Sequence, residues 1–348
     1  MQWIDNLTAT QQFVLFSTLK IIGVFSVLMF IVAYAVIIER RVSAFIQDRH
    51  GPNRVGPFGL LQPLADAVKS LIKEDYTPGH VRKVYFWLAP AIVMIPSILT
   101  VAVIPFGSTL GDQRMVIADL NVGILYVFGI VSLGVYGIVL AGYAANSKYP
   151  LLGGIRSSAQ MISYEVAMGL SVIPVFLLVG SLNLSQVIGY QAHSWLDWLI
   201  VRQPLAFLIF LVASFAETNR LPFDLPESEQ ELVGGFNTEY GSMKFALFFM
   251  GEYANLTVSS AILVTLFLGG WTLPVFGLDQ PAGNWLGGLA HIGIFLAKMI
   301  AVIVVIIWVR WMWPRFRYDQ LMQLGWGRII PLAMANIVFT AWVLWLGA

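Results

Sequence analysis

Eight stretches of this chain, 13–38, 84–106, 120–143, 158–180, 198–217, 243–268, 289–309 and 327–346, are predominantly apolar over 20 residues or more. A helix rising about 1.5 Å per residue needs about 20 such residues to cross a hydrocarbon core of roughly 30 Å. The spacing therefore predicts an all-α integral membrane protein, a bundle of eight transmembrane helices. Composition agrees where it discriminates: 11% of residues are charged, against roughly a quarter in soluble domains. No hydrophilic stretch is long enough for a second domain and no repeat is visible, so 1–348 reads as a single polytopic membrane domain. The first residues lack the basic region and small-residue cleavage pattern of a secretory signal, and the first apolar stretch is expected to remain as a span.

Lys and Arg alternate between connections. Sixteen lie in the loops after the first, third and fifth spans and around the last, whereas the opposite side holds only Arg114 and Arg202, with Lys20 and Lys298 inside spans. Basic loops mark the cytoplasmic side. A multi-pass chain with both termini on the outer side of the membrane is expected. The longest connection, 39–83, contains LLQPLADAVKSLIKED, whose leucines fall on one helical face and whose Asp66, Lys69 and Lys73 fall on another. That pattern predicts an amphipathic helix, lying in the membrane interface or packed on a partner protein.

Cysteine is absent, which excludes thiolate-held iron–sulfur clusters and thiol catalysis on this chain. The four histidines are scattered and no metal-ligand spacing or nucleotide-binding glycine motif is present. No flavin, haem, metal or nucleic-acid partner is expected.

What the sequence does concentrate is acid. Residues 215–241 carry Glu217, Asp224, Glu227, Glu229, Glu231 and Glu239 against the single base Arg220. Glu165 lies nine residues beyond Arg156, about 14 Å along a helix, and Glu252 eight residues beyond Lys244, about 12 Å. The fifth apolar stretch has only fourteen uncharged residues between Arg202 and Glu217, about 21 Å of helix, so one of the two must enter the membrane. Arginine snorkels better than glutamate. Intramembrane ionisable groups are costly and mark ion or proton paths more often than structural pairs. Lys298 is a further buried charge, read either as a carboxylate partner or as structural. Pro222 and Pro226 predict a bent, non-helical stretch after Glu217.

The loop AETNRLPFDLPESEQELVGGFNTEY, from Ala216 to Tyr240, resembles the signature of the H subunits of proton-pumping NADH:quinone oxidoreductase, respiratory complex I, the family that includes mitochondrial subunit 1. Four further segments agree: ERR from Glu39, GPNRVGPFGLLQPLADAVKSLIKED from Gly51, SYE from Ser163 and FALFFMGEY from Phe245. The resemblance covers essentially the whole chain. It implies a membrane subunit that joins the peripheral redox arm to the membrane arm, forms the entrance of a quinone tunnel and begins an acidic proton-coupling path. Quinone is then the substrate, with redox groups carried by other subunits. The implied partners are the peripheral quinone-site and iron–sulfur subunits, small neighbouring membrane subunits and the lipid bilayer.

Carried over by motif, the quinone-side residues are Glu39, Arg40, Asp66 and Phe249, and the acid path comprises Glu165, Glu217, Asp224, Glu227, Glu229, Glu231 and Glu252. A Phe in a membrane helix more often faces lipid or a neighbouring helix, so the role of Phe249 rests on the resemblance alone. Three rival expectations remain at this level: the equivalent subunit of a ferredoxin-, hydrogenase- or formate-linked complex, an autonomous ion transporter, and a purely structural anchor. Paired repeats or broken helices in corresponding halves would favour the transporter, and neither is visible.

Overall fold

Thr8 and Gln11 close the start of the first helix reciprocally, each side chain meeting the other's backbone N–H, the arrangement of a capping box. From there α1 runs unbroken over Ala9–Ile46. The computed structural model describes residues 8–111, 113–224, 235–275 and 277–347. The further helices are α2 (Gln62–Ile72), α3 (Lys83–Thr100), α4 (Gly123–Val131), α5 (Leu133–Ala144), α6 (Lys148–Val179), α7 (Leu184–Tyr190), α8 (Leu199–Arg202), α9 (Pro204–Glu217), α10 (Ser242–Phe267), α11 (Trp285–Met312), α12 (Tyr318–Leu324) and α13 (Ile330–Gly347). Strand in the described residues is limited to one hairpin, β1 (Thr109–Leu110) and β2 (Gln113–Arg114).

Among the described residues, seven segments are helical, long and apolar enough to cross a membrane: α1, α3, the α4–α5 pair, α6, α10, α11 and the run from α12 to α13. The chain is an all-α, multi-pass membrane protein. The predicted span at 198–217 takes a different form. Its helix breaks at Gln203, with φ −132° and ψ 58°, before Pro204, because the proline ring drives the preceding residue out of helical geometry. Past the break comes α9, 14 residues long, or about 21 Å. Its Ala206, Ile209, Phe210 and Ala213 are buried, and it packs on α6 and α13.

The amphipathic segment is helical as expected. In α2, Leu64, Leu71 and Ile72 are all more than 60% exposed, an apolar stripe that the other described residues leave uncovered. Elsewhere α3 packs on α5 and α10, α5 on α6, and α1 on α10 and α11. Helices α5 and α6 touch backbone to backbone: a Cβ on Gly142 would lie 2.6 Å from the Pro150 carbonyl oxygen, and one on Gly154 3.2 Å from that of Ile138. Small residues permit such close approach between membrane helices.

Lys298 has a structural role and no carboxylate partner among the described residues. Its Nζ donates to the carbonyls of Leu268 (2.7 Å), Gly270 (3.1 Å) and Thr272 (2.6 Å) and lies 4.4 Å from the Trp198 ring centroid. It thus supplies donors where α10 ends and its last carbonyls have no helical partner.

Candidate functional site

Beyond α9 the chain turns through Thr218–Asp224, non-helical as the prolines predicted, with a cis Leu221–Pro222 bond. The turn is buried because its polar groups find internal partners. Gln160 of α6 donates to the carbonyls of Ala216 and Phe223, both at 2.8 Å. Buried backbone without such partners would be costly. The turn carries Arg220 into the bundle, where only 2% of its side chain is exposed.

Arg220 is the centre of the site. Its Nη1 donates to Glu39 Oε2 at 2.9 Å, and its Nε forms an ion pair with Glu252 Oε1 at 2.8 Å. The guanidinium carbon lies 4.4 Å from the Tyr253 ring centroid. Arg310 of α11 binds the other oxygen of Glu39, and the Tyr253 hydroxyl donates to Glu39 Oε2 at 2.7 Å. Burial opposes the charge of Arg220, but Glu252, Tyr253 and Glu39 around it hold the guanidinium well above its usual range. Two carboxylates and two guanidinium groups are thereby shared among α1, α10, α11 and the 218–224 turn. Such a largely buried cluster forms only when each ion is paired, since an isolated buried charge costs several kcal/mol.

Glu217 and Glu252 border one cavity of about 40 Å³, whose polar lining also includes Ser97, Thr218, Asn219 and Asn255. That volume admits about three waters, and the carboxylates and amides supply the partners a buried water needs. A smaller recess of about 10 Å³ continues past Glu217 and Asn255 to Ser259. Glu165 on α6 is half-buried, within hydrogen-bonding reach of Ser132 and near enough to Glu217 for their charges to interact. Neither Glu165 nor Glu217 forms an ion pair among the described residues. Asp224 is held by Arg315 at 3.1 Å. Glu227, Glu229 and Glu231 lie outside the described residues.

The quinone-side candidates divide into two groups. Glu39 turns inward to Arg220, whereas the adjacent Arg40 turns outward and meets Asp66 of α2 at 2.8 Å, both about 40% exposed. Asp66 also accepts from Gln62 Nε2 at 2.9 Å. The Phe249 ring lies between those of Phe245 and Tyr253, with centroids 6.2 and 4.9 Å away. Through Tyr253, this aromatic file reaches the charged cluster. Outside the helices, Tyr240 stacks on Phe86 at 4.0 Å, and burial pushes its phenol above its ordinary range.

A family model described as NADH dehydrogenase matches residues 19–341. The chain is 49% identical over 336 residues to an H subunit of the NADH-quinone oxidoreductase of Cytophaga hutchinsonii, covering 94% of this chain and 96% of that protein. The chain belongs to the NADH dehydrogenase family, among its H subunits. The corresponding protein of Geobacter metallireducens is 51% identical over 331 residues, covering 94% of this chain and 96% of the relative. Subunit 8 of the Rhodothermus marinus NADH-quinone oxidoreductase is 50% identical over 310 residues, covering 87% and 89%. An H subunit of NADH dehydrogenase is one part of a multi-subunit membrane complex.

Sequence reasoning missed Arg220, Arg310, Tyr253 and Arg315 as members of the site. Arg220 was conspicuous as the lone base in an acidic loop. Arg310 and Arg315 read as the ordinary basic flank of a span, and their distance along the chain from Glu39 and Asp224 hid the pairing.

Proposed function

We propose that this H subunit forms the membrane entrance of a quinone channel and the first section of the acidic path that couples quinone reduction in a peripheral arm to proton translocation. Quinone is the substrate; the flavin and iron–sulfur groups belong to other subunits. In this reading α9 completes an eighth crossing, both termini lie on the periplasmic side of the inner membrane, and α2 lies in the cytoplasmic interface with its exposed leucines in lipid. The peripheral quinone-site and iron–sulfur subunits cover the acidic loop, and small membrane subunits flank the bundle.

The observation that carries the proposal is Arg220, which touches a quinone-side acid, Glu39, and an acid-path residue, Glu252, with one guanidinium. A change of charge at the quinone end would alter the hold of Arg220 on Glu39. Glu252 would then be bound more or less firmly, and the polar cavity leads from it to Glu217, whose neighbour in charge is Glu165. Glu227, Glu229 and Glu231 would extend the path on the cytoplasmic side. Arg40 and Asp66, outside the cluster, would position the quinone head group, and Phe249 would offer an apolar wall to its tail.

The test is Glu165→Gln and, separately, Glu252→Gln in the assembled complex reconstituted into vesicles. Each variant should lose proton translocation by about a hundredfold, the lower end of what a positioned proton-transfer group contributes. Full translocation with full quinone reduction in both variants would remove these acids from the path.

A further inference from the structure

Along α1, α10 and α11, away from the charged cluster, these helices and the stretch and hairpin that follow α3 border an apolar cavity of about 380 Å³. Its volume falls within the range of about 300–1,000 Å³ typical of small-molecule sites. Along α1 the wall runs from Phe16 to Ile31, fifteen residues or about 22 Å, longer than the roughly 15 Å of one hydrocarbon leaflet. Gly23 opens the wall, since a Cβ there would meet nothing within 4 Å. Among the described residues, the one ionisable side chain bordering the cavity is that of Lys20. It lies twenty residues before Arg40 on the same continuous helix, about 30 Å, one full hydrocarbon thickness from the cytoplasmic end. In the orientation proposed above and with α1 near the membrane normal, Lys20 stands toward the outer interface, about one turn inside the end of the cavity at Phe16. Gln113 and Trp285 border it as well, and Trp285 is 64% exposed at the first turn of α11, where indole rings favour the headgroup level.

We propose that this cavity is a binding site for an anionic glycerophospholipid of the outer leaflet, with one acyl chain along α1 past Gly23 and its phosphate on Lys20. The charge decides the occupant. A quinone tail or an apolar helix of a neighbouring subunit would gain nothing from the Lys20 ammonium group, whereas a phosphodiester at headgroup level complements it. The site is separate from the quinone-side residues Glu39 and Arg40, which lie toward the other end of α1. The lipid would fill the space between α1 and α10 that protein side chains leave open, and so hold apart the two helices that carry Glu39 and Glu252.

The experiment uses the purified, intact complex and phosphatidylglycerol spin-labelled on its acyl chain, titrated against unlabelled detergent. The parent complex should immobilise a saturable fraction of the probe. Gly23→Phe, which places a ring in open space and leaves the fold undisturbed, should abolish that fraction. Lys20→Gln should weaken phosphatidylglycerol binding about fivefold, the effect of one basic residue near an anionic lipid surface, and leave the uncharged diacylglycerol of the same chain length unchanged. An immobilised fraction of equal size and affinity in all three complexes would overturn the proposal. So would a cross-link from a photoreactive group at position 27 that goes to a neighbouring subunit instead of lipid.

Discussion

Replacing Arg220 by Gln should destabilise the assembled subunit by about 3–5 kcal/mol, the range found when one partner of a buried ion pair is removed. The neutral amide leaves Glu252 without its cation and Glu39 with Arg310 alone. Arg220→Lys should recover little. An ammonium group on a flexible stem cannot present a planar fork to two carboxylates while covering the Tyr253 ring. The informative variant is the double change Arg220→Gln with Glu252→Gln, which restores the balance of charge because Glu39 keeps Arg310. Residues in one ion network couple by about 0.5–3 kcal/mol, so the double variant should be more stable than Arg220→Gln alone. Thermal inactivation of the purified complex and its yield in membranes measure both. An Arg220→Gln complex as robust as the parent would mean that the acids are not held in this way.

The second large effect is expected at a residue with no chemistry. Gly142→Val should cost about 3 kcal/mol, the upper end of the usual penalty for overpacking, because the new atoms collide with the backbone at Pro150 and Gly154 and not with a side chain that could swing aside. The collision pushes α6 away from α5, and α6 carries both Glu165 and Gln160. Gly169→Ala is the control: it lies on the same α6, and a Cβ there meets nothing within 4 Å. It should be neutral or stabilising by up to about 1 kcal/mol, the helix-propensity difference. Equal melting behaviour of the two complexes would show that the glycine contact is not needed.

The fold was legible wherever a single helix could be judged by its own residues. Long apolar runs gave α1, α3, α6, α10 and α11, and the leucine periodicity gave α2. The break at Gln203–Pro204 was written in the sequence as a proline, yet hydropathy averages over a window and does not register one residue that ends a helix. The site was legible as a set of expensive acids but not as a network. Glu39 and Arg220 are 181 positions apart, and Glu39 and Arg310 271 positions apart. Composition marks such groups as needing partners, and only the packing of α1, α10 and α11 decides which partners they receive. Lys298 shows the converse: its charge left open a carboxylate partner or a structural place, and the carbonyls of Leu268, Gly270 and Thr272 give it the second.

The first helix is longer than the bilayer is thick. Its 38 residues amount to about 57 Å, and even a tilt of about 40° would fit only some 40 Å of it into the hydrocarbon. One stiff rod therefore runs past the hydrocarbon into at least the headgroup layer, while the part near its C-terminal end bears Glu39. A spectroscopic label on the protruding tip, remote from any reacting group, would swing whenever the buried carboxylate shifts its footing, and so give a readout of events at the far face without touching them.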